Sequence, residues 1–104
     1  MRALVTGAGS GIGRATAQVL TERGHDVVAT ARRLEALDGL EVAQRLVLDV
    51  TDDASVAACV DAAGPIDVVV NNAGITETGP LETYPHEVLV AMFETNVFGP
   101  MRLV

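Results

Sequence analysis

Residues 3–13 read Ala3-Leu4-Val5-Thr6-Gly7-Ala8-Gly9-Ser10-Gly11-Ile12-Gly13, a short apolar run that breaks into glycines and leads at once into an Ala-rich stretch. The apolar run predicts a strand over Ala3 to Thr6. The stretch after it predicts a helix from Ile12 to Arg23, with Ile12, Ala15, Val19 and Leu20 on one face and Gly24 as a left-handed stop. Glycines serve three purposes between such elements: a tight turn, unhindered approach of backbone N–H groups to a pyrophosphate, and close contact of helix with strand. The free amides and the positive end of the helix dipole then favour an anion. A glycine-rich loop alone is a weak signal, but between a strand and a helix it points to a nucleotide site at Gly7, Gly9, Ser10, Gly11, Ile12 and Gly13.

The same alternation continues along the chain. Further strands are predicted at Val27 to Ala31, Leu46 to Val50 and Ile66 to Val70, all nearly continuous in apolar character, as expected for strands covered on both faces. Between them a short helix is predicted at Leu34 to Asp38. Another follows from about Asp53 to Ala63, with Thr51 or Asp52 as N-cap and Gly64-Pro65 as stop. A fourth starts near Pro85, suited to the first helical position, and carries Val88, Leu89, Met92, Phe93 and Val97 along one side. Strands alternating with helices imply an α/β fold, a Rossmann-like doubly wound parallel sheet with helices on both faces. A full sheet of that kind has about six strands. Only about four are readable here, so the sheet is expected to be incomplete. Met101-Arg102-Leu103-Val104 continues the apolar pattern without a glycine cap. Residues 1–104 are therefore expected to be one nucleotide-binding domain portion, cut within a helix.

Composition narrows the partners. Seven Arg and no Lys against fourteen acids give a net charge of −7, and the arginines are scattered rather than striped, which argues against nucleic acid. The N-terminal apolar run is too short for a signal peptide, and no stretch approaches the roughly 20 residues of a membrane span. A cytoplasmic protein with a small-molecule ligand is expected. The lone Cys59 reads as an inert residue on the apolar face of a helix, and His25 and His86 as surface residues without a metal-site pattern.

The pattern Thr6-Gly7-x-x-x-Gly11-x-Gly13, Asp49-Val50 at the end of the third strand, Asn71-Asn72-Ala73-Gly74 after the fourth and Asn96 in the next helix occur in order. Together they resemble the short-chain dehydrogenase/reductase family over the entire chain. The resemblance implies an NAD(P)-dependent oxidoreductase that reduces carbonyls or oxidises alcohols, and a homo-oligomer is expected. It implies adenine contacts from Asp49 and Val50, cofactor contacts from Asn72, Ala73 and Gly74, and a catalytic role for Asn96. The family's Tyr-x-x-x-Lys pair is missing, since Tyr84 precedes Pro85 and there is no Lys. The chain alone is therefore expected to be inactive.

Cofactor preference is read at the end of the second strand. An acid there would hydrogen-bond the ribose 2′-OH of NAD, whereas an Arg accommodates the 2′-phosphate of NADP. The sequence reads Ala31-Arg32-Arg33, so NADP is preferred and NAD stays possible, with Arg32 the stronger candidate of the two. Pro100 has no N–H to offer the Asn96 carbonyl. That arrangement is either a simple helix kink or, as the resemblance implies, a main-chain water site. Ile75 to Tyr84 reads equally as the border of a substrate pocket or as an ordinary connection. Two rival functions remain: a stand-alone nucleotide-binding module that self-associates, and a fragment with no function of its own.

Overall fold

Parallel pairing requires a connection of a dozen or more residues that returns the chain to the same end of the sheet, and the segments between the apolar runs are long enough to supply it. In the computed structural model, which describes residues 1–75 and 81–104, this is the outcome. Strands β1 (Arg2–Val5), β2 (Asp26–Ala31), β3 (Gln44–Val47) and β4 (Val68–Val70) form one sheet in the order β3-β2-β1-β4. All pairs are parallel, with Leu4 opposite both Val28 and Val69. The chain builds outward from β1 to β3 and then crosses back to the other side of β1. That reversal opens a crevice at the carboxyl ends of β1 and β4, the place where open α/β sheets take ligands.

Helix α1 (Gly11–Glu22) links β1 to β2, a 3₁₀ turn (Leu34–Leu37) lies between β2 and β3, and α2 (Asp53–Ala63) links β3 to β4. Period-two alternation sends side chains to opposite sheet faces. Val5, Val27, Ala29 and Ala31 pack with Ala17 of α1 and with Leu37 and Leu40. Leu4 and Val28 pack on the other side with Val56, Cys59 and Ala63 of α2. Cys59 is buried, and desolvation raises its thiol pKa, in keeping with an inert role. The end of α2 is closed by side chains. Arg2 donates from Nε and Nη2 to the Ala63 carbonyl, and Gln44 donates to that of Ala62, satisfying acceptors that the helix leaves over.

Several expectations need correction. The inward face of α1 is Gly13, Ala17 and Leu20, not the set Ile12, Ala15, Val19 and Leu20. Ile12 is 79% exposed and Val19 44%. Small residues let the helix lie close on the sheet, and closeness rather than bulk sets its orientation. β3 begins earlier and ends earlier than Leu46 to Val50. Its polar start, Gln44-Arg45, hides an edge strand, while Leu48 and Val50 are buried in a turn, where apolarity cannot distinguish strand from loop. β1 keeps its expected length but lies one residue earlier, leaving Thr6 past its end, and β4 is shorter than expected, starting at Val68.

The fourth helix is not continuous. Helix α3 (His86–Phe93) passes into a π-helical turn (Glu94–Phe98) and then α4 (Gly99–Leu103). Pro100 explains it, since a proline ring in a regular helix collides with the carbonyl four residues back. Widening the turn, with the Gly99 N–H donating to Glu94 five residues earlier, avoids this. Phe93, placed on the inward side by periodicity, is 57% exposed, and Val97 is also exposed. No helix among the described residues is long and apolar enough to cross a membrane.

Of the two N-cap candidates for α2, the structure uses Asp52, whose carboxylate accepts from the Ala54 and Ser55 amides at 2.9 and 3.4 Å. Asp52→Ala is expected to cost about 1 kcal/mol. A urea unfolding curve with a lower midpoint and unchanged slope is the check.

Candidate nucleotide site

The crevice beside β1 begins with the backbone of the glycine loop. Gly7 and Gly11 have φ of +62° and +55°, values that a side chain disfavours. A Cβ on Gly13 would lie 2.3 Å from the Gly7 carbonyl oxygen and 2.4 Å from Asn72 Nδ2. The first turn of α1 is therefore pressed onto the end of β1 as no other residue allows. Asn72 donates from Nδ2 to that same Gly7 carbonyl at 3.2 Å.

Beneath the loop lies a buried hydroxyl, that of the threonine opening the glycine pattern, to which the sequence reading gave no role. Thr6, 1% exposed, accepts at Oγ1 from the amides of Asn72 and Ala73, each at 2.9 Å. This bond set fastens the strand-ending turn of β4 to β1. Thr30 plays a similar part between β2 and β1, donating its hydroxyl to the Val5 carbonyl at 3.0 Å while its own carbonyl accepts from the Ala8 amide at 2.9 Å. A threonine interrupting an apolar strand near its carboxyl end was the available signal in both cases.

The cleft so formed has a volume of about 660 Å³. Gly7, Gly9, Ser10, Arg32, Arg33, Asp49, Val50, Asn72, Ala73 and Gly74 line it, joined by residues that the sequence did not mark as cofactor contacts, among them Thr6, Ala36, Thr51 and Thr95. Gly11, Ile12, Gly13 and Asn96 do not line it. Gly13 sits behind the loop, and Ile12 faces outward at the start of α1. Asn96 acts on the far wall, where its side-chain amide accepts from the Ile75 amide at 2.8 Å and donates to the Ile75 carbonyl at 2.7 Å. That two-point clamp fixes the exit of the Asn71 to Gly74 turn. The rest of the Ile75 to Tyr84 connection lies largely outside the described residues.

Charge is arranged around the rim. Asp49 accepts from the Thr51 hydroxyl at 2.6 Å and amide at 3.0 Å. These two bonds, helped by the Arg32 and Arg102 charges, hold its carboxyl below the ordinary value despite an opposing effect of burial. Arg32 and Arg33 stand at the end of β2, and Arg33 makes a long 3.9 Å contact with exposed Glu35. Arg102, also unanticipated, reaches from α4 to the Val50 carbonyl, Asp53 and Glu94 at 3.1, 2.8 and 2.8 Å. Gly99 abuts the Val50 side chain, where an added Cβ would be 2.7 Å from Cγ2. The last helix thus fixes the Val50 wall of the cleft. Among the described residues there is no cluster of metal-ligating side chains.

A dinucleotide suits these features. The volume falls within the roughly 300–1,000 Å³ of small-molecule and cofactor sites. The loop offers side-chain-free backbone at a helix N-terminus, while arginines and a carboxylate mark separate parts of the rim.

A family model described as short chain dehydrogenase matches residues 1–104. The chain belongs to the short-chain dehydrogenase/reductase family. It is 42% identical to a gluconate 5-dehydrogenase of Gluconobacter oxydans, over 92% of this chain and 42% of that protein. It also matches a 3-ketoacyl-(acyl-carrier-protein) reductase of Brucella melitensis solved with NADH (TM-score 0.91, 31% identity, 98% of this chain and 46% of that one). A metagenomic short-chain oxidoreductase solved with NADP gives a TM-score of 0.89 at 35% identity, over 99% of this chain and 52% of that one. The chain spans about two fifths of the length of the curated relatives it matches.

Gly13→Ala is expected to destabilise the fold by about 3 kcal/mol or more, because the new methyl meets backbone. Gly11→Ala, strained in φ but facing open space, should cost only about 1–2 kcal/mol. Chemical denaturation of the two variants checks the contrast. Asp49 has a depressed folded-state pKa, so its stabilising contribution is present above the ordinary carboxylate range, near pH 4, and is lost as pH falls through the folded value. Unfolding midpoints measured from neutral to acid pH should therefore fall less steeply for Asp49→Asn than for the parent protein.

Proposed function

We propose that this cleft binds NADP(H) in preference to NAD(H), and that residues 1–104 form the cofactor-binding part of an oxidoreductase that reduces carbonyls or oxidises alcohols. The observation that carries the preference is the pair Arg32 and Arg33, which line the same cleft as the glycine loop and fill the two positions directly after β2 where an acid would favour NAD. A guanidinium can hold a phosphate through two parallel hydrogen bonds, and a 2′-hydroxyl offers it no charge.

In this reading the amides after Gly7 and the start of α1 hold the pyrophosphate. Asp49 and Val50 flank the adenine, and the Asn72 to Gly74 backbone runs along the nicotinamide half. Bound NADPH supplies hydride to a carbonyl carbon. Asn96 contributes through its main chain, because its side chain is committed to Ile75 while Pro100 offers its carbonyl no helical donor. A positioned proton donor typically contributes about 10²- to 10⁴-fold to such a reaction. Tyr84 is the sole tyrosine and no lysine accompanies it. The 104 residues alone are accordingly proposed not to turn over substrate.

A second reading, self-association of this chain, draws on one observation: Val90, Phe93, Val97 and Met101 are exposed at helical spacing along α3, the π turn and α4. Sizing chromatography giving a discrete oligomer would favour it.

Calorimetric titration of the purified chain with NADPH and NADH tests the main reading. NADPH is expected to bind about tenfold or more tightly than NADH, with the advantage lost in Arg32→Ala. Equal affinities, or an advantage surviving that substitution, would refute it, and carbonyl-dependent NADPH oxidation by the chain would refute the proposed inactivity.

A further inference from the structure

The 3₁₀ turn that follows the two rim arginines is held by a residue outside the cleft. Arg33 occupies the position before the turn, with extended backbone. Within the segment the amides of Ala36, Asp38 and Leu40 bond to the carbonyls of Arg33, Glu35 and Leu37. The carbonyls of Ala36 and Asp38, which those three bonds leave over, accept from Arg14 Nη1 at 3.2 Å and Nη2 at 2.8 Å. Arg14 lies in the first turn of α1, directly behind the glycine loop. The turn also presses on that loop, since a Cβ on Gly9 would come within 2.9 Å of the Ala36 side chain, and it is anchored below by the fully buried Leu37.

A ligand carrying both a pyrophosphate and a 2′-phosphate must satisfy the glycine loop and the β2 arginines at once. The separation of those two anion sites is set by how the turn is fixed to α1, and Arg14 provides the polar half of that attachment. We propose that Arg14 is a positioning residue for cofactor selection: by stapling the turn after Arg32 and Arg33 to the helix that starts at the glycine loop, it sets the preference for the 2′-phosphorylated dinucleotide. The inference rests on the NADP reading above. It also separates Arg14 from a mere attractor of anions, because an added positive charge near the pyrophosphate strengthens both nucleotides alike, whereas a fixed turn strengthens only the one that reaches the arginines.

The experiment compares the parent chain with Arg14→Met, Arg14→Lys and Arg32→Ala in titrations with NADPH and NADH, alongside amide hydrogen exchange without ligand. Methionine keeps length and helix propensity but cannot donate. Arg14→Met is expected to weaken NADPH by about three- to tenfold and NADH by less than about twofold. Arg14→Lys, with one ammonium in place of a fork, should restore only part of the loss. Exchange at Ala36, Asp38 and Leu40 should quicken by about tenfold in Arg14→Met, with α2 unaffected. An NADPH advantage intact in Arg14→Met but lost in Arg32→Ala would overturn this inference while sparing the NADP reading. No advantage in the parent chain would defeat both. Equal weakening of both nucleotides, reversed by lysine, would make Arg14 a simple charge and overturn its positioning role, as would unchanged exchange across the turn.

Discussion

The contact on which the remaining structure depends is between a helix and a strand end that nearly touch. With no side chain at residue 13, the Gly7 carbonyl and Asn72 Nδ2 occupy the space a Cβ would fill, at 2.3 and 2.4 Å. Three elements meet in that seam: the end of β1, the start of α1 and the turn after β4. The Thr6 hydroxyl closes it from below by accepting two amides of that turn. Protein interiors are close-packed, so a joint in which the Gly7 carbonyl and Asn72 fill the place of a missing side chain has little freedom to shift. The same joint sets the loop whose Gly7, Gly9 and Ser10 line the cleft. Fold and ligand site here share a single cause.

From that seam the rest follows in order. The reversal of strand order at β1 opens the crevice, and each wall is then braced by a residue whose side chain lies elsewhere. Asn96 holds Ile75 from the π turn, Arg102 holds the Val50 carbonyl from α4, and Arg14 holds the turn beyond Arg33 from α1. The π turn itself traces to Pro100. A regular helix through residue 100 would place the proline ring against the Asn96 carbonyl, and the widened turn brings Gly99 onto Val50 instead.

The sheet, its four strands and the position of the glycine loop were legible because they depend on local composition: β-branched runs, glycines of fixed spacing, a proline and glycine at helix ends. Most cleft-lining residues, from Gly7 to Gly74, were also named from sequence. What was not legible depends on geometry beyond one element. α1 was given the wrong inward face because Gly13 and Ala17 pack by being small, a reversal of the usual rule that bulk marks the core. Leu48 and Val50 are as apolar as any strand but sit in a turn. Thr6, Thr30 and Arg14 act through partners more than twenty residues away in sequence, as Arg102 does toward Asp53 and Val50, and no periodicity records such pairs.

Amide NMR of the chain during addition of NADP⁺ shows whether the glycine loop, the β2 arginines and the turns after β3 and β4 form one dinucleotide site. The expected result is that the largest shifts fall together on Gly9 to Gly13, Arg32, Asp49 to Thr51 and Asn72 to Gly74, saturating with one affinity, while the outer segment from Gly39 to Arg45 stays unmoved. Shifts absent from the glycine loop, or centred on that outer segment, would contradict it.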